Sequence, residues 1–343
     1  MKRINFGKLF FLLPWLLISC LEETSFDLKR GESQLVVEGY ISNQPEVYSV
    51  RLTTLAELNG ITTNTLGANA VVTISELDGP SVQLVETSIA GRYQTIAGQI
   101  VGKIGKAYQL DIKLSNGEEY QSSLEVIPAP ISIASIEAEF VEKFVEQSNG
   151  VNRLVYHDIN IEVENTEATH YLKVENSGWA KVEVGYGLCD PPPPWRTQCW
   201  QFREPGNAIK LSTNQGFSLS NYMINAVSIP IDFKHEYIAI VQLKAMSSDS
   251  YNFWNKLGDQ LDRSGGLFDR PFAPVVGNIV STNDALSALG YFHAYAVTDE
   301  IVCYDRADIR VAVSIPRIGC LQQCVEIWGP IATYADVTQI LCP

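Results

Sequence analysis

Apolar and polar positions alternate with a period of two along most of this chain, the spacing of a strand with one buried face. Val50 and Leu52, for example, interleave with Ser49, Arg51 and Thr53. Runs rich in Val, Ile, Thr and Tyr at 35–41, 48–53, 70–75, 82–86, 92–96, 108–114 and 119–126 read as strands. Turn residues punctuate them: Asn43-Gln44-Pro45, Leu77-Asp78-Gly79-Pro80 and Ser115-Asn116-Gly117. Asp-Gly and Asn-Gly supply the positive φ that tight hairpin turns need. About seven short strands with no helical period predict a small antiparallel sandwich, immunoglobulin- or transthyretin-like, over residues 34–127.

Ile127-Pro128-Ala129-Pro130 then interrupts the pattern, because proline cannot donate to a ladder and stiffens the backbone. A domain boundary is expected there, followed by a larger β-rich domain over 131–343. Its strands are expected at 131–141, 154–164, 171–175, 181–184, 237–243 and 309–315, with a long irregular insertion around 185–230. The whole is an all-β architecture of two sandwich-like domains.

One segment changes period. In 249–261, Phe253, Leu257 and Leu261 recur every fourth residue with Trp254 beside them, which sets them on one face of an amphipathic helix. Ser248 or Asp249 is expected to cap its start, and Gly265-Gly266 to end it. Packing on a sheet accounts for such a face, and docking of a partner would use the same face.

The N-terminus has a different logic. Lys2, Arg3 and Lys8 precede an apolar run of about ten residues, a length that suits a secretory leader and falls short of the ~20 that span a bilayer. The run ends in Leu17-Ile18-Ser19-Cys20, the aliphatic, small, then cysteine order of a bacterial lipoprotein signal. Residues 1–19 are therefore expected to be removed, and Cys20 to carry lipid at the head of a polar tether over 20–33. Two or more acyl chains hold a protein at a membrane durably while its globular part stays in water. Leu21-Glu22-Glu23 resembles the acidic surface-export signal of lipoproteins in the Bacteroidetes group, and a solvated tether is its plainer reading.

The formal charge is -14, and the loss of the three leader cations takes it to -17. Such a chain repels phosphate backbones, which excludes a nucleic-acid role and leaves the lipid to hold the protein at the membrane. The cysteine count is seven, odd for an exported protein, and lipidation of Cys20 resolves the parity. Cys189, Cys199, Cys303, Cys320, Cys324 and Cys342 remain, and an oxidising compartment makes them disulfide candidates. Cys189 with Cys199 is the first pairing to test, because four prolines at 191–194 stiffen the loop between them; sequence leaves the other connectivities open. Cys320 and Cys324 have a spacing some metal sites use, but no histidine lies near them in sequence, and neither a metal nor another cofactor is expected.

The chain has no G-x-S-x-G elbow, phosphate-cradling glycine loop or calcium loop, and Ala239 stands where a zinc-protease helix beginning at His235-Glu236 needs its second histidine. His157, His170, His235 and His293 share no spacing and read as hydrogen-bonded strand or loop residues. Trp195, Trp200 and Trp328 are candidate binding aromatics, able to stack on a sugar or a peptide, and can equally cover disulfides.

A resemblance joins these parts. Tyr251-Asn252-Phe253-Trp254, Ser264-Gly265-Gly266-Leu267-Phe268-Asp269, Pro274, Gly277-Asn278-Ile279 and Leu289-Gly290-Tyr291-Phe292 resemble the signature of the Bacteroidetes lipoprotein family DUF4249. Val36 to Ile41, Val50-Arg51-Leu52, Ala70 to Ile74 and Gly91-Arg92-Tyr93 resemble its opening strands. The Cys189–Cys199 loop is not placed on that pattern. The resemblance implies an outer-membrane lipoprotein beside a TonB-dependent transporter, and brings no activity or catalytic residue. The expected role is thus a non-enzymatic accessory subunit at the outer membrane, facing the cell surface, that captures a glycan or peptide nutrient. A structural or assembly role in an outer-membrane complex, and a hydrolase whose site is assembled from residues distant in sequence, are the alternatives.

Overall fold

The computed structural model describes residues 33–58, 61–66, 69–147, 150–183, 198–203, 209–217, 220–231, 237–261, 275–283 and 287–304. In chain order the first strands are β1 (Ser33–Ser42), β2 (Ser49–Leu58), β3 (Ile61–Leu66), β4 (Val71–Glu76), β5 (Ser81–Gln83), β6 (Val85–Glu86), β7 (Arg92–Gln94), β8 (Ala107–Lys113), β9 (Glu119–Ser122) and β10 (Glu125–Val126). After the two prolines come β11 (Ile133–Gln147), β12 (Gly150–Val163), β13 (Tyr171–Glu183), β14 (Gln198–Arg203), β15 (Lys210–Thr213), β16 (Tyr222–Pro230) and β17 (Tyr237–Met246). Helix α1 (Ser248–Leu261), β18 (Ile279–Ser281) and β19 (Leu289–Tyr304) complete the order. The protein is mainly β, as the alternation predicts.

Three sheets form. The largest runs β14-β13-β17-β19-β1-β2-β7-β6, with β15 also on β13 and β3 on β2; the second runs β18-β9-β8-β4-β5, with β10 on β8; the third is β11-β12-β16. Inward side chains of all three meet in one apolar cluster, which includes Val37 and Leu52 from the first, Ile74 and Leu110 from the second and Ile161 from the third. Burying a side chain of this size contributes roughly 1.5–3 kcal/mol.

The boundary expected at 128–130 does not separate the sheets. β1 lies parallel to β19, with Val37 opposite Gly290 and Tyr40 opposite His293, and β18 extends the second sheet from β9. Residues from 34–127 and from 131–343 thus share both sheets, because the edges of the N-terminal strands are completed by partners far along the chain. The 171–175 run and residues 181–183 of the next are one strand, β13: Asn176-Ser177-Gly178 looks like a turn, yet these residues pair with β17 opposite Val241, Ile240 and Ala239. The 185–230 stretch holds β14, β15 and β16 instead of being wholly irregular. At the first hairpin it is Asp78, not Gly79, that takes a positive φ, of 57°. The 309–315 run lies outside the described residues.

Gly290 is the tightest junction. Its φ is +89°, and a Cβ there would overlap the carbonyl of Val37, while one at Gly277 would overlap the carbonyl of Gly290 itself. Three backbone segments therefore approach within a distance that only glycine allows.

Helix α1 is capped one residue earlier than expected. Ser250 N–H donates to Ser247 Oγ at 3.2 Å, and Tyr251 N–H to the Ser247 carbonyl at 3.0 Å. Asp249 in the first turn suits the positive end of the helix dipole. The face that packs on the sheet carries Ser250, Phe253, Trp254 and Leu257, whereas Leu261 is 62 % exposed, because the inward stripe has rotated away from the sheet by the last turn.

Candidate functional site: an aromatic and cationic cleft under the helix

Alternation along the central strands gives the large sheet a second face, turned away from the main core and towards α1. Glu38 and Tyr40 of β1, Arg51 of β2, Arg92 of β7, Lys173 and Glu175 of β13, Gln242 and Lys244 of β17, and Tyr291, His293 and Tyr295 of β19 stand on it. With Phe253, Trp254 and Leu257 of the helix they line a cleft of about 940 Å³. Phe292, one residue from Tyr291, points the opposite way and is fully buried in the core. Strand alternation sends only Tyr291 to the helix side.

Tyr291, His293 and Tyr295 are two apart on β19, so their rings pile along the strand. Centroids are 4.5 Å apart for Tyr291 and His293 and 5.2 Å for His293 and Tyr295, with interplanar angles of 22° and 14°. Trp254 lies nearly parallel to His293 at 5.2 Å, and Phe253 meets it edge-on at 5.8 Å. Burial holds the imidazole neutral, its pKa pushed well below the usual range, and Lys173 and Lys244 push in the same direction.

His293 Nδ1 lies 2.7 Å from Ser250 Oγ, which lies 3.3 Å from Met246 Sδ. Donation from Nδ1–H to Oγ and from the hydroxyl to sulfur satisfies both groups at once. In that arrangement Nε2 is an acceptor, and it has no hydrogen-bond partner among the described residues. Ser250 is fully buried, so its hydroxyl is turned to His293 and Met246 and not to the open cleft.

The floor of the cleft holds three charges. Lys173 and Lys244 face each other across β13 and β17, a like-charge pair that would repel. Glu175 bridges them, its Oε1 2.7 Å from Lys173 Nζ and its Oε2 2.5 Å from Lys244 Nζ. Desolvation alone would raise the Glu175 pKa, but Lys244 and Lys173 outweigh it and the net shift is downward. For Lys173, desolvation wins and its pKa falls. The Lys173 ammonium also sits 3.4 Å from the centre of the Trp254 ring, a cation–π contact. Trp254 Nε1–H donates to the Tyr295 hydroxyl at 3.0 Å.

A buried carboxylate fixes the frame. Glu125, 3 % exposed, accepts from Tyr291 OH at 2.6 Å, from Ser247 Oγ at 2.8 Å and from Asn278 Nδ2 at 3.3 Å. Desolvation raises its pKa despite these donors. Asn278 also exchanges two hydrogen bonds with the backbone of Phe292, at 2.9 and 3.0 Å. The Gly277-Asn278-Ile279 and Leu289 to Phe292 motifs therefore clamp the start of α1, β10 and β19 together, which keeps the cleft walls in place.

At the mouth, Arg51 and Arg92 oppose each other across β2 and β7. Arg51 meets Glu38 at 3.7 Å with both side chains more than half exposed, and Arg92 makes no ion pair among the described residues.

Cys20, Cys189, Trp195, Cys320, Cys324, Trp328 and Cys342 lie outside the described residues. Cys199 and Trp200 are in β14, opposite Val182 and Lys181 of β13. Cys303 is in β19 opposite Ile238 and is disulfide-bonded. No cluster of three or more His, Cys, Asp or Glu side chains able to hold a metal occurs among the described residues. The cleft itself escaped sequence reasoning. Its available signal was the Tyr-x-His-x-Tyr spacing of β19, together with the Lys-x-Glu and Gln-x-Lys spacings of β13 and β17.

A family model described as Domain of unknown function (DUF4249) matches residues 22–301. No curated protein matches the chain.

Proposed function

We propose, for a chain that belongs to the DUF4249 family, that it is a lipid-anchored envelope protein that captures a small ligand non-covalently in the cleft beneath α1. On this reading Cys20 carries the anchor, the protein sits at the outer membrane with its cleft towards the cell exterior, and it hands its ligand to a TonB-dependent transporter. The observation that carries the reading is the cleft. Its volume of about 940 Å³ lies in the range of small-molecule sites. Its walls are aromatic side chains already held by hydrogen bonds and ring contacts, so little ordering entropy remains to be lost on binding. The acid–base groups around it are engaged in structure: Glu125 accepts four hydrogen bonds, one of them from Ser123 Oγ, Glu175 is shared by two lysines, and His293 is bonded to a buried serine. That employment favours capture over turnover.

The test is fractionation of the native host carrying either the wild-type chain or Cys20→Ala. The wild type is expected to pellet with membranes and the variant to move to the soluble fraction. Gentle detergent extraction of the wild type is expected to bring down a large β-barrel transporter, identified by mass spectrometry. A variant that pellets as tightly as wild type would remove the anchor, and a wild-type protein recovered alone would remove the transporter. Hydrolysis of an ester, glycoside or peptide probe would replace capture with catalysis.

A further inference from the structure

We infer that the cleft takes an organic carboxylate with an apolar body, its acid group seated between Arg51 and Arg92. This rests on the capture reading and names the chemistry of the captured molecule. The cleft lining is cationic in an acidic protein. Four cations (Arg51, Arg92, Lys173 and Lys244) face two carboxylates (Glu38 and Glu175), whereas the chain as a whole carries 25 Lys and Arg against 39 Asp and Glu. A concave surface with low-dielectric walls concentrates such a local field, and anions are drawn to it.

The cross-strand register makes the assignment specific. The sheet places two like-charged pairs directly opposite each other on this face, Lys173 with Lys244 and Arg51 with Arg92. Like charges so placed repel. The lysine pair has a built-in answer, since Glu175 offers one oxygen to each ammonium. The arginine pair has none of that quality: Glu38 reaches Arg51 at 3.7 Å from a largely exposed position. A ligand carboxylate between the two guanidiniums would do for them what Glu175 does for the lysines. Arginine suits the task, because its planar fork matches the two oxygens of a carboxylate. Val36, Leu257, Val275 and Leu289, also in the lining, offer an apolar surface for the remainder of the molecule.

The experiment is calorimetric titration of the full chain in nanodiscs with three probes of one shape: 1-naphthoate, 1-naphthalenemethanol and 1-naphthylmethylamine. The acid is expected to bind about tenfold tighter than the alcohol, the amine weakest, and added salt to narrow the gap. Arg51→Gln with Arg92→Gln, its fold checked by circular dichroism, is expected to bind acid and alcohol alike. Alcohol binding as tight as acid in the wild type, or a double variant that keeps the preference for the acid, would overturn the anion assignment and leave capture standing. Failure of all three probes to bind would count against capture itself, and the assignment would fall with it.

Discussion

Glu175→Gln is expected to lower stability by about 1–3 kcal/mol at neutral pH, less than breaking a fully buried ion pair costs because the three side chains are only partly buried. The glutamine fits the space but cannot neutralise Lys173 and Lys244, which face each other with side chains only 11 % exposed. The pH dependence carries a sign. Since the folded protein holds the Glu175 pKa below its ordinary value of 4.5, its contribution is present above that value and is lost as pH falls through the depressed folded pKa. The gap between wild type and variant, read from urea midpoints, should therefore be full at neutral pH and close in acid. A gap that is small at neutral pH, or that widens in acid, would mean the three charges are not coupled as the geometry has them.

Gly290→Ala is expected to be at least as damaging. A non-glycine residue at a strained positive φ costs about 1–3 kcal/mol, and here the added methyl also overlaps the Val37 carbonyl. That carbonyl belongs to β1, so relief of the overlap means separating β1 from β19 where the large sheet is joined across the chain. Hydrogen exchange should show β1 and β19 losing protection together. Protection confined to one of the two strands would show that the junction yields locally. Gly98→Ala is the matched control, since φ is +73° there but no atom lies within 4 Å of an added Cβ.

Strands and helix were legible because each depends on residues near one another in sequence. The period-two runs and the Asn116-Gly117 turn mark β8 and β9, and the fourfold spacing of Phe253 and Leu257 marks α1. Pairing across the chain was not legible. Nothing local to Tyr40 says that its neighbour is His293, because the register is set by the close approach at Gly290 and by the inward sets of both strands. The prolines at 128 and 130 end a ladder locally, as expected, but a strand edge freed at one point was filled by β18 and β19 from much later in the chain. The site shows the same division. Lys173, Glu175 and Lys244 look like ordinary solvated positions of alternating strands. Their burial arises only when α1 folds over them, which brings Trp254 onto Lys173. The family signature pointed to the site, since Asn278, Gly290 and Tyr291 frame the cleft.

The most direct test of the account is to ask what the cleft holds. The full chain would be purified from its native host, denatured, and the released small molecules identified by mass spectrometry, alongside Leu257→Trp, which fills the cleft from the helix side. The account predicts an organic acid enriched with the wild type and absent from the folded variant. The same compounds at the same levels in both preparations would contradict it.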